Sequence, residues 1–257
     1  SLDLGETLTA NSLEDALIKK GPFGLIQSLM HVVQPKYGFE LSLNSDFPLG
    51  SGLGGSATLS AVVLGCFNML RKDKWNQHEL AEIAFQAERL HLGIAGGWQD
   101  QYAAVFGGFN FIEFHPEENI VSPIRLQSDI ALELEESLVL CDTGIAHNSG
   151  NIHDDQKQTM ESSSVQKLVK KNVELTYSTR KHLLRGDLVK FGECLDAAWR
   201  LKRNFSSMIS NDYIDAIYEG ALENGALGGK LLGAGGGGFF IFYVPPFKKN
   251  ALIIFLK

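Results

Sequence analysis

This sequence is short of the features that would tie it to a membrane, a nucleic acid or an oxidising compartment. No apolar run reaches the roughly 20 residues that a helix needs to cross a bilayer. The first residues also lack the basic-then-apolar pattern of a secretory leader. Basic charge is in deficit: 23 Lys and Arg against 30 Asp and Glu leave a formal net charge of −7, the wrong sign for a nucleic-acid-binding surface. Cysteine is scarce, and Cys66, Cys141 and Cys194 are odd in number and widely spaced. They read as reduced thiols of a cytoplasmic protein, and no metal-ligand spacing is visible among them. His91, His147 and His153 fit no metal triad either. What is present is ordinary globular material: 44% hydrophobic residues and a mean hydropathy of −0.02, enough for one large domain or two small ones.

The chain is organised around Asp46–Leu70, DFPLGSGLGGSATLSAVVLGCFNML. Just before it, Phe39, Leu41 and Leu43 alternate with Glu40, Ser42 and Asn44, the period of a half-buried strand. After it, a small and apolar run too long for a strand predicts a buried helix from about Ser56. Between them lie Gly50, Ser51, Gly52, Leu53, Gly54, Gly55, Ser56 and Ala57. Glycines let backbone N–H groups wrap an anion, and the first turn of a helix leaves N–H groups unsatisfied. The loop reads as a phosphate cradle. It lacks the Gly-Lys-Ser/Thr of a Walker A loop, since Gly55-Ser56-Ala57 supplies no lysine. Gly50, Gly52 and Gly55 spell G-x-G-x-x-G, but Asp73 follows a helical run where a dinucleotide site needs an acidic strand end. H-R-D and D-F-G, the companions of a protein-kinase glycine loop, are missing.

Elsewhere the pattern predicts a helix over Phe23–Val33 stopped by Pro35, and a helix capped by Asn76 and Glu79 with a stripe of Leu80, Ile83, Ala84, Ala87 and Leu90. A loop, Gly93–Gln101, leads into a short helix ending at Phe106. Strands are expected at Phe109–Phe114, Ser137–Cys141 and Phe239–Val244. Asp154–Arg203 is helical in pattern with a break at Gly186-Asp187, and a further helix covers Asp212–Asn224. Gly228–Gly238 is so dense in glycine that it suits neither helix nor ordinary strand. Such a run makes sense where a backbone passes close to something.

Three segments, PLGSGLGGSAT, ER-LHLGIAGGWQDQ and KLLGAGGGGFF, in this order resemble the GHMP kinases, the galactokinase–homoserine kinase–mevalonate kinase superfamily. GWQDQYAAVFGGFNFIEF, DTGIAHNSG and AWRLKRNFSSMISND are more narrowly similar to the sugar kinases acting on D-glycero-D-manno-heptose 7-phosphate, with L-fucose kinase domains as close relatives. The resemblance runs from about Asp46 to Val244. It implies an α+β chain with a ribosomal protein S5 domain 2-like N-terminal half, residues 1–130, and a ferredoxin-like C-terminal half, residues 131–257. The family's first motif is not visible before residue 36, the stretch after Pro246 is short, and the chain begins at Ser1. Missing terminal segments are therefore expected.

The resemblance also implies roles. ATP would lie on Gly50–Ala57, and Mg²⁺ on Ser56 and Glu88, although sequence alone leaves Glu88 as a solvated helix charge. Asp100 matches the family's catalytic Asp; by position it is equally a helix N-cap. Gly97, Gly235 and Gly236 would shape the sugar end. Arg200 or Arg203, with Thr143 or Ser149, would hold a sugar phosphate, the alternative being an exposed basic face that balances the acidic surface. The implied activity is phosphorylation of the anomeric hydroxyl of heptose 7-phosphate by a cytoplasmic monomer or homodimer. A free-sugar kinase of the L-fucose type, a diphosphate decarboxylase and a catalytically silent sugar-binding regulator are rivals. Ser56, Glu88 and Asp100 together argue against the last.

Overall fold

The computed structural model describes residues 1–46, 51–145, 152, 155–156, 158–159 and 162–257. Gly50, His147, Ser149 and His153 lie outside the described residues. The chain divides into two units, Ser1–Leu49 with Gly54–Ser122, and Gly50–Leu53 with Pro123–Lys257. The division falls at Ser122–Pro123 rather than after residue 130, and it takes four residues of the glycine loop into the second unit.

The first unit is mostly helical. Helix α1 is Leu13–Ile18, with the Ser12 hydroxyl accepting from the Asp15 N–H. Helix α2, Gly24–Val33, ends at Gln34 in the left-handed region, just before Pro35. Helix α3 is Gly55–Met69, and α4 is Gln77–Phe85, opened by the capping box of Asn76 and Glu79. Each member of that box satisfies a backbone donor of the other. Helix α5 is Gln99–Phe106; strands β1, Asn110–Phe114, and β2, Asn119–Pro123, form a two-stranded sheet. The core is Leu29, Met30, Val63, Leu64, Phe67, Ala84 and Ala87.

Two expectations fail here for physical reasons. Residues 39–45 form no strand. Leu41 and Leu43 do pack against the core, so the alternation marks the buried side, but a strand also needs a ladder. The Leu2 N–H to Leu43 carbonyl bond of 2.8 Å does not extend into one. The second failure is Leu90, placed by period in the stripe of α4 but 69% exposed. Residues Gln86–His91 make a π-helical turn, closed by the Leu92 N–H on the Ala87 carbonyl. The extra residue in that turn shifts the register, turning Leu90 outward while Glu88 is buried.

The second unit wraps helices on a three-stranded antiparallel sheet. Helix α6, Ser128–Ser137, runs straight into β3, Leu138–Asp142. Helices α7, Ser163–Leu184, and α8, Leu188–Lys202, are separated at Gly186-Asp187, where the Asp187 carboxylate caps α8. Helix α9, Asp212–Glu223, is capped by Asn211, and α10 is Lys249–Phe255. Strand β5, Phe239–Tyr243, lies between β3 and β4, Gly228–Leu231. Ile241 thus faces Leu140 on one side and Lys230 on the other. Strand β4 arises where the sequence argues against strand, because Gly228 and Gly229 let α8 and β5 close in. A Cβ at Gly228 would stand 2.1 Å from the Gly192 carbonyl oxygen, and one at Gly229 would stand 2.4 Å from the Phe242 ring. Trp199, Tyr218, Phe240 and Phe242 fill the core above the sheet. Cys141 and Cys194 are buried free thiols and Cys66 is exposed. No helix among the described residues is long and apolar enough to cross a membrane.

Candidate active site

Helix α3 has Gly54 at its N-cap, and the φ of 73° and ψ of 25° there lie in the left-handed region, natural for glycine. In the first turn that follows, the N–H groups of Gly55, Ser56 and Ala57 are of the kind a helix cannot satisfy internally, at the positive end of its dipole. A side chain at Gly55 would meet nothing within 4 Å among the described residues. Gly55 and Ser56, the first two residues of the helix, are exposed. Before it, the Leu53 N–H lies 3.4 Å from the Ser51 hydroxyl, and Ser51 is buried.

One residue beyond Gly55, the Ser56 hydroxyl donates to Glu88 Oε1 at 2.6 Å. Glu88 is only 3% exposed, which excludes a solvated helix charge. A carboxylate so buried costs several kcal/mol unless donors surround it. Gln101 Nε2 supplies a second bond, to Oε2 at 2.6 Å, and the Arg89 guanidinium stands 3.5 Å from Oε1. The same guanidinium reaches the carbonyls of Ile94, Ala95 and Gly97 at 3.3–3.5 Å. It lies flush on Gly96, where a Cβ would come within 2.5 Å of Arg89 Cζ.

Asp100 is the second residue of α5, and Trp98 occupies the N-cap without a side-chain bond. The helix-cap reading of Asp100 therefore fails. Its side chain lies beside the start of α3: a Cβ on Gly54 would be 3.8 Å from Asp100 Cβ and 4.0 Å from Oδ1. Trp98, stacked on Phe85 with ring centroids 3.5 Å apart, fixes the approach to α5. The first unit thus brings Gly54, Ser56, Glu88 and Asp100 together. A hydroxyl and a buried carboxylate are hard oxygen donors of the kind Mg²⁺ takes. Among the described residues no group of three or more His, Cys, Asp or Glu could hold a metal ion. Mg²⁺ fits the pair, because it is held by one or two protein oxygens and completes its shell with water and phosphate.

The second unit deals differently with the residues expected at the sugar end. Gly233 sits on Gly52, its would-be Cβ 3.0 Å from Gly52 Cα, so this glycine does permit a close approach to the loop. Gly235 and Gly236 instead make room for the chain's own Ile209 and Ile152, and the Gly236 N–H bonds the Ile209 carbonyl. Thr143 is buried, with its hydroxyl donating to the Gly238 carbonyl at 2.7 Å, so it clamps the glycine run. Arg200 pairs with Asp196 and reaches Glu219; Arg203 pairs with Asp215 and reaches Glu219. These pairs favour the reading in which both arginines balance acidic neighbours over the reading in which they hold a phosphate. Lys202, on the same helix α8, donates to the Gly233 carbonyl at 2.5 Å. Sequence reasoning missed Gln101 and Arg89. The only local signal for them was their adjacency to Asp100 and Glu88.

The description "GHMP kinases N terminal domain" matches residues 23–108, and "GHMP kinases C terminal" matches residues 179–253. The D-glycero-alpha-D-manno-heptose 7-phosphate kinase of Campylobacter jejuni is 40% identical over 220 residues, 85% of this chain and 65% of that protein. The bifunctional fucokinase/GDP-fucose pyrophosphorylase of Arabidopsis thaliana is 30% identical over 89% of this chain. The chain spans less than two thirds of the length of both relatives, and only 23% of the second. A solved chain of Campylobacter jejuni described as a sugar kinase superposes with a TM-score of 0.66 at 36% identity, covering 93% of this chain and 70% of that one. With both family segments matched in order, and this solved relative covered over most of its length, the chain belongs to the GHMP kinase family.

Proposed function

We propose that this protein transfers the γ-phosphoryl group of ATP to the anomeric hydroxyl of D-glycero-D-manno-heptose 7-phosphate, giving the 1,7-bisphosphate. One observation carries the reading: the Ser56 hydroxyl bonded to buried Glu88, with Asp100 beside them, at an exposed helix start. The 40% identity to a heptose 7-phosphate kinase supports that substrate over a free sugar.

Phosphoryl transfer asks the protein mainly for positioning and for neutralisation of phosphate charge. The N–H groups of Gly55, Ser56 and Ala57 would hold the β- and γ-phosphates in place. Ser56 and Glu88 would hold Mg²⁺, which when bound neutralises those phosphates. The Ser56 hydroxyl would offer a lone pair to the metal while its O–H stays donated to Glu88 Oε1. Asp100 would accept the proton of the anomeric hydroxyl as that oxygen bonds to phosphorus and the bond from phosphorus to the ADP oxygen breaks. Base catalysis of this kind contributes roughly 10²–10⁴-fold.

An ADP-release assay across heptose 7-phosphate, L-fucose and D-galactose tests the reading. Heptose 7-phosphate should give the highest kcat/KM. Preference for a free sugar would overturn the substrate assignment, and sugar binding without ATP consumption would favour the silent regulator.

A further inference from the structure

Gln101 is fully buried, and its orientation is unusual. Its Nε2 donates to Glu88 Oε2 at 2.6 Å, while its own Oε1 is buried without a hydrogen-bond partner. Turning the amide over would not help, because the carbonyl oxygen would then face an ionised carboxylate, which only accepts. The amide therefore presents its N–H to Glu88 and leaves an acceptor unused. A buried orphan of this kind signals that the bond to Glu88 fixes the side chain's orientation. Gln101 is also the residue after Asp100, on the first turn of α5. One hydrogen bond thus ties the helix that carries Asp100 to the carboxylate that meets Ser56.

We infer that Gln101 is a positioning residue: it sets the Glu88 carboxylate for Mg²⁺ and holds the Asp100-bearing turn against it. The inference rests on the metal reading of Ser56 and Glu88 given above. Residues that orient metal ligands typically control affinity 10–100-fold. Here Ser56 and Gln101 take different oxygens of Glu88, so removing Gln101 frees the carboxylate to rotate about its remaining bond to Ser56.

The test is Mn²⁺ binding followed by electron paramagnetic resonance with a non-hydrolysable ATP analogue, on wild type, Gln101→Met, Gln101→Asn and Ser56→Ala. Gln101→Met keeps the length and loses the donor; Gln101→Asn keeps the amide but is one methylene too short. Both should raise the Mn²⁺ dissociation constant about 10–100-fold, with a cooperative thermal transition and unchanged nucleotide affinity in EDTA. If both fold and bind Mn²⁺ as wild type while Ser56→Ala is weakened, Gln101 does not position the ligand and the metal reading stands. If Ser56→Ala also binds as wild type, the metal reading falls and this inference falls with it. Loss of the fold in both Gln101 variants would make Gln101 a core residue and overturn the proposal.

Discussion

Replacing Gly54 separates a backbone cost from a binding cost. At φ 73° an L-residue is strained by about 1–2 kcal/mol. The space itself is adequate: the added Cβ of Gly54→Ala would make ordinary contacts of 3.8–4.0 Å with the Asp100 side chain. At about 2–4 °C per kcal/mol for a chain of this size, Gly54→Ala should melt roughly 2–8 °C lower and still fold. Relaxing that strain tilts the first turn of α3, which costs at least one N–H to phosphate bond. A hydrogen bond to a charged group is worth about 1.5–3 kcal/mol, or roughly 10–150-fold in affinity. Gly54→Val adds a β-branch in the left-handed region, a genuine outlier, and brings methyl groups towards the Asp100 carboxylate. Calorimetric titration with MgATP beside thermal melting should show weakened binding in the first variant and none in the second. Native ATP affinity in a folded Gly54→Val protein would refute the phosphate cradle.

Asp100→Asn should lower turnover by at least about 10²-fold with ATP affinity little changed, in steady-state kinetics and calorimetry. Alanine at both Arg200 and Arg203 should move KM for phosphorylated and free sugars alike, because both side chains already pair with carboxylates; a selective rise for heptose 7-phosphate would make them its anchor. Gly228→Ala should cost about 1–3 kcal/mol or more in urea unfolding, since the new methyl meets the backbone of α8 rather than a movable side chain. Burial lowers the Lys230 pKa below the ordinary lysine value. Its folded form thus sheds the proton first, and its burden on stability is full below the folded pKa and lifts as pH rises from there towards the unfolded value. Lys230→Met should accordingly stabilise the protein at neutral pH and remove that alkaline gain, as read from unfolding curves across pH.

The sequence reveals most where the determinants are local. Asn76 and Glu79 announce α4 because their mutual capping needs only neighbours, and Gly186-Asp187 marks the break before α8 for the same reason. Phe39–Asn44 misleads because alternation reports which side is buried, while a ladder depends on a partner elsewhere in the chain. The π turn at Gln86–His91 is invisible to a 3.6-residue period, although it buries the one carboxylate that matters most. The density of glycine in Gly228–Gly238 tells that a backbone passes close to something, but not to what. Gly228, Gly235 and Gly237 make room for Gly192, Ile209 and Ile145, contacts far apart in sequence. Gln101 is not legible in the sequence because its buried polar role depends on a tertiary neighbour, Glu88.

If Ser56, Glu88 and Asp100 serve phosphoryl transfer to the anomeric oxygen, phosphorus NMR of the protein with ATP, Mg²⁺ and heptose 7-phosphate should show the product forming at that position. A new phosphate resonance coupled to the anomeric proton should grow as ATP is consumed, suppressed at least about 10²-fold in Asp100→Asn. Phosphate appearing at another hydroxyl, or an undiminished rate in Asp100→Asn, would contradict that role.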